Sequence, residues 1–205
     1  MTTILFGMSG SGKGQLLKST YKDNFKVWSA TKRFYDMDEI YFGWNSRPND
    51  AHLAIFRLMT LDLPGFLPDC SRRGGGNVVI ERGVTDHIFC VPNRQIPGLE
   101  SYDNMKIKEM VELESEIIKK RTKCDDIVKI LLVMEDKKHI ENKVLNGPDS
   151  KHRKAIYPDV DTYLEKQKEY VDFTLKYNPD IAVGDTWVIK SARSFIESLG
   201  LTYLD

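Results

Sequence analysis

The sequence predicts an α/β fold: a parallel central sheet of about five strands flanked by helices, with a basic lid. Three observations predict it. The β-prone run Thr3-Ile4-Leu5-Phe6 feeds directly into a glycine-rich turn and then into a helical segment. Further apolar runs at 25–28, 77–80 and 127–134 alternate with segments of helical periodicity. No internal repeat or low-complexity linker divides the 205 residues, so the chain reads as one domain over 1–205. Strands alternating with helices call for right-handed βαβ units and a sheet covered on both faces.

Each element follows from its local pattern. Thr3 to Phe6 is a buried strand, and Gly14 to about Tyr21 is a short helix carrying Leu16 and Leu17. Phe25-Lys26-Val27-Trp28 alternates as a second strand would. Leu53, Phe56 and Met59 recur at helical spacing up to Pro64-Gly65. Gly74-Gly75-Gly76 is a turn into the strand Asn77-Val78-Val79-Ile80, which Glu81-Arg82 closes. Ile107, Met110, Leu113 and Ile117 mark a helix over 103–121, with Asp103 near its start and Lys119, Lys120 and Arg121 at its end, as the helix dipole favours. Ile127 to Met134 is the most hydrophobic run and is expected as a central strand buried on both faces. A helix around 137–145 precedes the breaker Gly147-Pro148 and the basic tetrad Lys151-His152-Arg153-Lys154. Tyr163, Gln167, Tyr170 and Tyr177 mark a long helix from Asp159 to Asn178-Pro179. Ile181-Ala182-Val183 reads as the last strand, followed by a terminal helix over about 190–198.

Composition narrows the partners. Lys+Arg and Asp+Glu are both 30, so the formal net charge is zero, and whole-molecule attraction to nucleic acid or an anionic membrane is not indicated. No apolar run approaches the roughly 20 residues that span a bilayer. The opening residues show no basic leader and no small-residue cleavage site. Cys70, Cys90 and Cys124 are widely separated, which suits a reduced thiol state better than a disulfide framework. A cytoplasmic protein without a membrane partner is the expectation, and a homodimer stays open.

Gly7-Met8-Ser9-Gly10-Ser11-Gly12-Lys13 has the spacing of a phosphate-binding loop, in the strand-to-helix context that the mechanism needs. Glycines let successive backbone N–H groups turn inward toward phosphate oxygens, and the following helix adds its positive end. Gly7, Ser9, Gly10, Ser11, Gly12, Lys13, Gly14 and Gln15 are the expected nucleotide-binding set. Lys13 would contact the β- and γ-phosphates and act in transfer. The position after Lys13 usually supplies a metal-binding hydroxyl; here it is Gly14, followed by Gln15. The Gly-Lys-Gly form resembles adenylate kinases and some guanylate kinases, although those usually place Thr or Ser next. Metal binding must then draw on water, nucleotide phosphates and a carboxylate elsewhere.

Ligands of open parallel sheets lie beyond the carboxyl ends of the strands, so Glu81 and Arg82 belong beside this loop. A carboxylate there can hold Mg²⁺ through water, and a guanidinium can grip a phosphate bidentately. Glu81-Arg82-Gly83-Val84-Thr85-Asp86 resembles the Glu-Arg-Ser motif of deoxynucleoside kinases and the Asp-Arg-Tyr motif of thymidylate kinases, with Gly83 in place of their Ser or Tyr. The resemblance implies a P-loop kinase fold with ATP and Mg²⁺ as ligands. Glu81 would then serve the metal, and Arg82 the acceptor in a catalytic role.

The helix Tyr163-Leu164-Glu165-Lys166-Gln167-Lys168-Glu169-Tyr170 resembles the one that follows the lid in those two families, which places a lid at about 146–158. Cations that arrive on closure neutralise transition-state charge and exclude water. The families usually offer two or more lid arginines. This chain offers Arg153, with Lys143, Lys151 and Lys154 nearby, so Arg153 is the catalytic candidate.

After the second strand, Lys32 and Arg33 could hold an acceptor phosphate, whereas Asp36, Asp38 or Glu39 could serve as base for a sugar hydroxyl. Asp38 is the candidate base. Trp28, Phe34, Tyr35, Tyr41, Phe42 and Trp44 could stack on a nucleobase, although each such aromatic is more often core. Phosphorylation of a (deoxy)nucleoside monophosphate is the leading expectation. Its rivals are a deoxynucleoside kinase, a viral-type kinase acting on a hydroxyl of a modified base in DNA, and a nucleotide-binding regulator without turnover.

Overall fold

The computed structural model of the chain describes residues 1–21, 25–29, 77–90, 104–123, 125–148, 150–182 and 186–203. Within them the chain forms β1 (Thr2–Phe6), α1 (Lys13–Leu16) running on into a π-helical turn (Leu17–Tyr21), and β2 (Phe25–Ser29). Then follow β3 (Asn77–Glu81), α2 (Val84–Cys90), α3 (Asn104–Thr122) and β4 (Ile127–Leu132). The remainder comprises α4 (Lys137–His139) with a π-helical turn (Ile140–Leu145), α5 (Ser150–Ile156), α6 (Val160–Tyr177), a 3₁₀ turn (Pro179–Ala182), β5 (Thr186–Ile189) and α7 (Ala192–Ser198).

The strands form one five-stranded, all-parallel sheet in the order β2-β3-β1-β4-β5. Register aligns the carboxyl ends: Leu5 pairs with Glu81, Ser29 with Glu81, and Phe6 with Leu131. From β1 the chain passes to the far edge, returns beside β1 as β3, then crosses to the other side as β4. Connections on the two flanks of β1 therefore lead apart, and a crevice opens beyond its carboxyl end. That is the place where open α/β sheets take ligands.

Alternation along the strands fills two cores, as a sheet covered on both faces requires. Ile4, Phe6, Val78, Ile80 and Leu131 pack with Ile118 of α3 and with Tyr163 and Tyr170 of α6. Leu5, Val79, Ile130 and Leu132 pack with Leu16 of α1 and with Ala192 and Ile196 of α7. Trp28 lies within the first core, so of its two readings, core and base-stacking, the structure gives core. Phe34, Tyr35, Tyr41, Phe42 and Trp44 lie outside the described residues. No helix among the described residues is long and apolar enough to cross a membrane.

Several elements differ from expectation. Ile181 and Ala182 belong to a 3₁₀ turn rather than a strand, because Asn178 is buried and its carbonyl accepts Ile181 N–H at 3.0 Å. Ile181 plugs the first core, and the last strand is Thr186–Ile189. The basic tetrad lies on a helix, α5, rather than in a loop. Strand β4 stops at Leu132; beyond it the Gln167 amide clasps Met134, accepting from its N–H at 2.8 Å and donating to its carbonyl at 2.7 Å.

Helix α6 follows its pattern closely. Asp159 caps it by accepting from Thr162 N–H at 2.7 Å, and that bond holds the Asp159 carboxyl below its usual range. Tyr163, Gln167, Tyr170, Thr174 and Tyr177 form its buried stripe. Helix α3 is rotated from expectation. Its buried stripe is Ile107, Val111, Glu114 and Ile118, while Leu113 is 46% exposed.

Lys123 ends α3 in the left-handed region (φ 54°) while its N–H donates to Lys119 O at 2.9 Å. A side chain resists that conformation and glycine does not. Lys123→Gly is expected to stabilise the fold by about 0.5–1 kcal/mol after the cost of glycine's looser unfolded chain, raising Tm by about 1–3 °C in a thermal melt.

Candidate functional site: the crevice beyond β1

The Gly7–Lys13 turn occupies the carboxyl end of β1, with α1 starting from it. Gly7, Gly10 and Gly12 all have positive φ (153°, 89° and 89°). Gly12 needs glycine twice over: its backbone is left-handed, and an added Cβ would come within 2.7 Å of Ala192 Cβ on α7. The close packing of turn against helix is thus written into that position. Gly14 differs, since a Cβ there would meet nothing within 4 Å. A helix start leaves its first N–H groups without intrahelical acceptors, which directs those of Lys13, Gly14 and Gln15 out of the amino end of α1.

Lys13 is 4% exposed and reaches back across the turn. Its ammonium donates to the carbonyls of Gly7 and of Met8 (2.9 Å) and to Ser11 Oγ (3.4 Å). Cation and inward-curled backbone therefore share one concavity. Ser11 is buried, Ser9 is exposed, and Gln15 is half-buried. The Ser9 carbonyl accepts from Tyr163 Oη at 3.3 Å, tying the loop to α6, and burial pushes that phenol upward.

Glu81 and Arg82 end β3 beside this loop, both half-buried. Arg82 has φ 73°, rare for a residue with a side chain, and its N–H donates to Leu5 O at 2.9 Å. That strained corner turns the chain from β3 into α2, and strain of this kind gathers at functional positions. Gly83 is required by space: an added Cβ would lie 2.7 Å from Phe6 Cζ and 3.3 Å from Glu114 Oε2. A Ser or Tyr at 83 would not fit between them.

Among the described residues no cluster of three metal-binding side chains occurs. Glu81 at the crevice is one carboxylate. Mg²⁺ commonly takes only one or two from a protein and completes its shell with waters and phosphates, so the donor set fits that mode.

Two buried carboxyls next to these residues escaped the sequence reading. Asp86, in the first turn of α2, is 0% exposed. It accepts from Tyr170 Oη, while its second oxygen, Oδ2, is buried without a hydrogen-bond partner among the described residues. Burial pushes its pKa up to about 6, against the pull of the Arg82 guanidinium, the Lys13 ammonium and the Tyr170 bond. Burial, then Asp86 itself, hold the Tyr170 phenol well above its usual range. Glu114 of α3 is 2% exposed and accepts from Val84 N–H at 3.0 Å. Burial raises it to about 8 despite the nearby Lys129. Lys129, 3% exposed within β4, donates to Asn178 Oδ1 at 3.2 Å and pairs with Asp180 at 2.5 Å. A polar seam therefore runs beneath α2, fixing the segment that follows Arg82. Its sequence signal was a charged residue on each apolar run: Glu114 on the face of α3, Lys129 inside the most hydrophobic strand.

Arg153 lies on α5, half-buried, and donates to Val144 O at 3.1 Å. An added Cβ on Gly10 would lie 2.6 Å from Val144 Cγ1, so Arg153 bonds the turn that packs against the loop. Lys143 and Lys154 are exposed. Lys32, Arg33, Asp36, Asp38 and Glu39 lie outside the described residues. The loop that carries Lys13 and the Glu81-Arg82 corner thus lie at the adjoining ends of β1 and β3, with Asp86 in the first turn of the helix that follows. No protein-family model matches the chain, and no curated protein matches it.

Proposed function

We propose that the chain is a P-loop kinase that transfers the γ-phosphoryl group of ATP to a (deoxy)nucleoside monophosphate, in the manner of thymidylate kinases. One observation carries the reading: a glycine turn with positive φ at three positions holds a lysine ammonium in its concavity at the point where the sheet's connections diverge. Turned toward a ligand, the N–H groups of such a loop, with a cation and a helix start at the same spot, would make a polyphosphate cradle.

Each residue then has a task. Lys13 leaves its carbonyl partners for the β- and γ-phosphate oxygens and stabilises charge during transfer. Arg82, one strand away, takes the acceptor phosphate and keeps it in line. Glu81 would hold Mg²⁺ through water; the ion when bound neutralises charge between the β- and γ-phosphates. Tyr163 ties the loop to α6, and Arg153 closes from the lid side.

A coupled assay of ADP release across nucleosides, nucleoside monophosphates and short DNA tests the reading. Turnover with a monophosphate is the expected result. Turnover confined to nucleosides or DNA would move the acceptor assignment, and ATP binding without turnover on any acceptor would leave a regulator. Arg82→Ala is expected to raise the acceptor KM at least tenfold while the ATP KM stays within about twofold, as for loss of a charged hydrogen bond to one substrate. An effect on ATP alone would reverse the orientation of the site.

A further inference from the structure

We propose that Asp86 is a buried counter-anion of the phosphate site, which competes with phosphate for the charge of Lys13 and Arg82. The inference rests on the cradle reading above.

Three observations carry it. Asp86 is wholly buried at the start of α2, a few residues beyond the corner at Arg82. One of its oxygens is fixed by the Tyr170 hydroxyl, and the other has no hydrogen-bond partner among the described residues. The charges acting on it are Arg82 and Lys13, both cationic, with Glu81 opposing them more weakly. A buried carboxylate without full hydrogen bonding is costly unless a cation lies in its field. Here the two cations assigned to phosphates provide that field. The titratable groups that act on it come from several elements: Lys13 from α1, Glu81 and Arg82 from the end of β3, Glu114 from α3, and Tyr170, the one in contact, from α6.

The consequence is counter-intuitive. A charge that merely props up the fold would weaken ligand binding when removed. A competing counter-anion would strengthen it. At an effective dielectric of about 20, a unit charge about 10 Å from a ligand charge is worth roughly tenfold in affinity. Asp86→Asn keeps the size and the oxygen that accepts from Tyr170, removes the charge, and puts an amide NH2 in place of Oδ2.

The test is calorimetric binding of inorganic tripolyphosphate to the whole chain between pH 5 and 8. Asp86→Asn is expected to bind about tenfold more tightly than wild type at pH 8. Dividing the two affinities cancels the ligand's own titration. That ratio is expected to fall toward one as pH drops through about 6, where wild-type Asp86 takes up its proton. Tyr170→Phe offers a second variant: losing the donor should raise the Asp86 pKa further, so the wild-type inflection moves to higher pH. Equal or weaker binding by the Asn variant at pH 8, or a ratio independent of pH, overturns the inference alone. Should the Asn variant not fold, the ratio of Tyr170→Phe to wild-type affinity cancels the ligand's titration equally, and a ratio that does not rise above one between pH 6 and 8 overturns it. If wild type takes up no tripolyphosphate at any pH, the cradle reading falls and Asp86's role falls with it.

Discussion

Lys13→Ala is expected to lower phosphoryl transfer by roughly 10²–10³-fold or more while the protein stays folded, measured as ADP release at saturating ATP. Lys13 is buried within the turn; in the proposed reaction it would be the charged donor to phosphate oxygens, a part that water fills poorly. Truncation also strips donors from the Gly7 and Met8 carbonyls and from Ser11 Oγ, costing about 1–3 kcal/mol of stability. A variant that melts a few degrees lower yet retains near-normal turnover would remove Lys13 from the reaction. Lys13→Arg should rescue little, because a planar fork cannot make the same contacts as a compact ammonium with three donors.

Glu114→Gln is expected to stabilise the protein at alkaline pH and leave it unchanged near pH 4. Glu114 has its ordinary value, 4.5, when unfolded and about 8 when folded. Between those values the native state holds the extra proton, so stability falls as pH rises through the window, and the loss is complete above about 8. This reverses the usual carboxylate pattern. Gln keeps an oxygen for Val84 N–H and has no charge to bury. At 1.36 kcal/mol per pKa unit the shift sets a ceiling near 5 kcal/mol. Relaxation around a buried charge lowers this, so a gain of about 2 kcal/mol, or about 4–8 °C in Tm, is expected at pH 8.5. Identical pH profiles for the two proteins, read from denaturant titrations, would remove Glu114 from the balance. Asp86, raised to about 6, adds a smaller loss over its own window, from its ordinary 3.8 upward.

How far the sequence could be read depended on the range of the interaction. Strands β1 to β4 were legible because each is a short apolar run bounded by turn residues, and α6 because its stripe repeats without ambiguity from Tyr163 to Tyr177. The turn around Gly7–Lys13 was legible for the same reason: φ signs and lysine reach are local matters. The facing side of α3 was not. Met110-Val111, Leu113-Glu114 and Ile117-Ile118 give two nearly equivalent stripes, and a hydrogen bond from a distant residue, Val84, selects the one containing a glutamate. The last strand was misplaced because Ile181 has strand-like neighbours, while a buried Asn178 bends the chain there.

By itself the sequence determined the alternation of strand and helix, the glycine turn with its lysine, and the Glu-Arg pair at a strand end. All of these are set by neighbours within a few residues. Only the tertiary structure decided the strand order that opens a crevice at β1, the fit of Gly83 between Phe6 and Glu114, and the burial of Asp86 beside Lys13 and Arg82. Whether a carboxylate is solvated or enclosed depends on which distant surfaces close over it. The free energy of a charge changes far more with that enclosure than with its place in the chain.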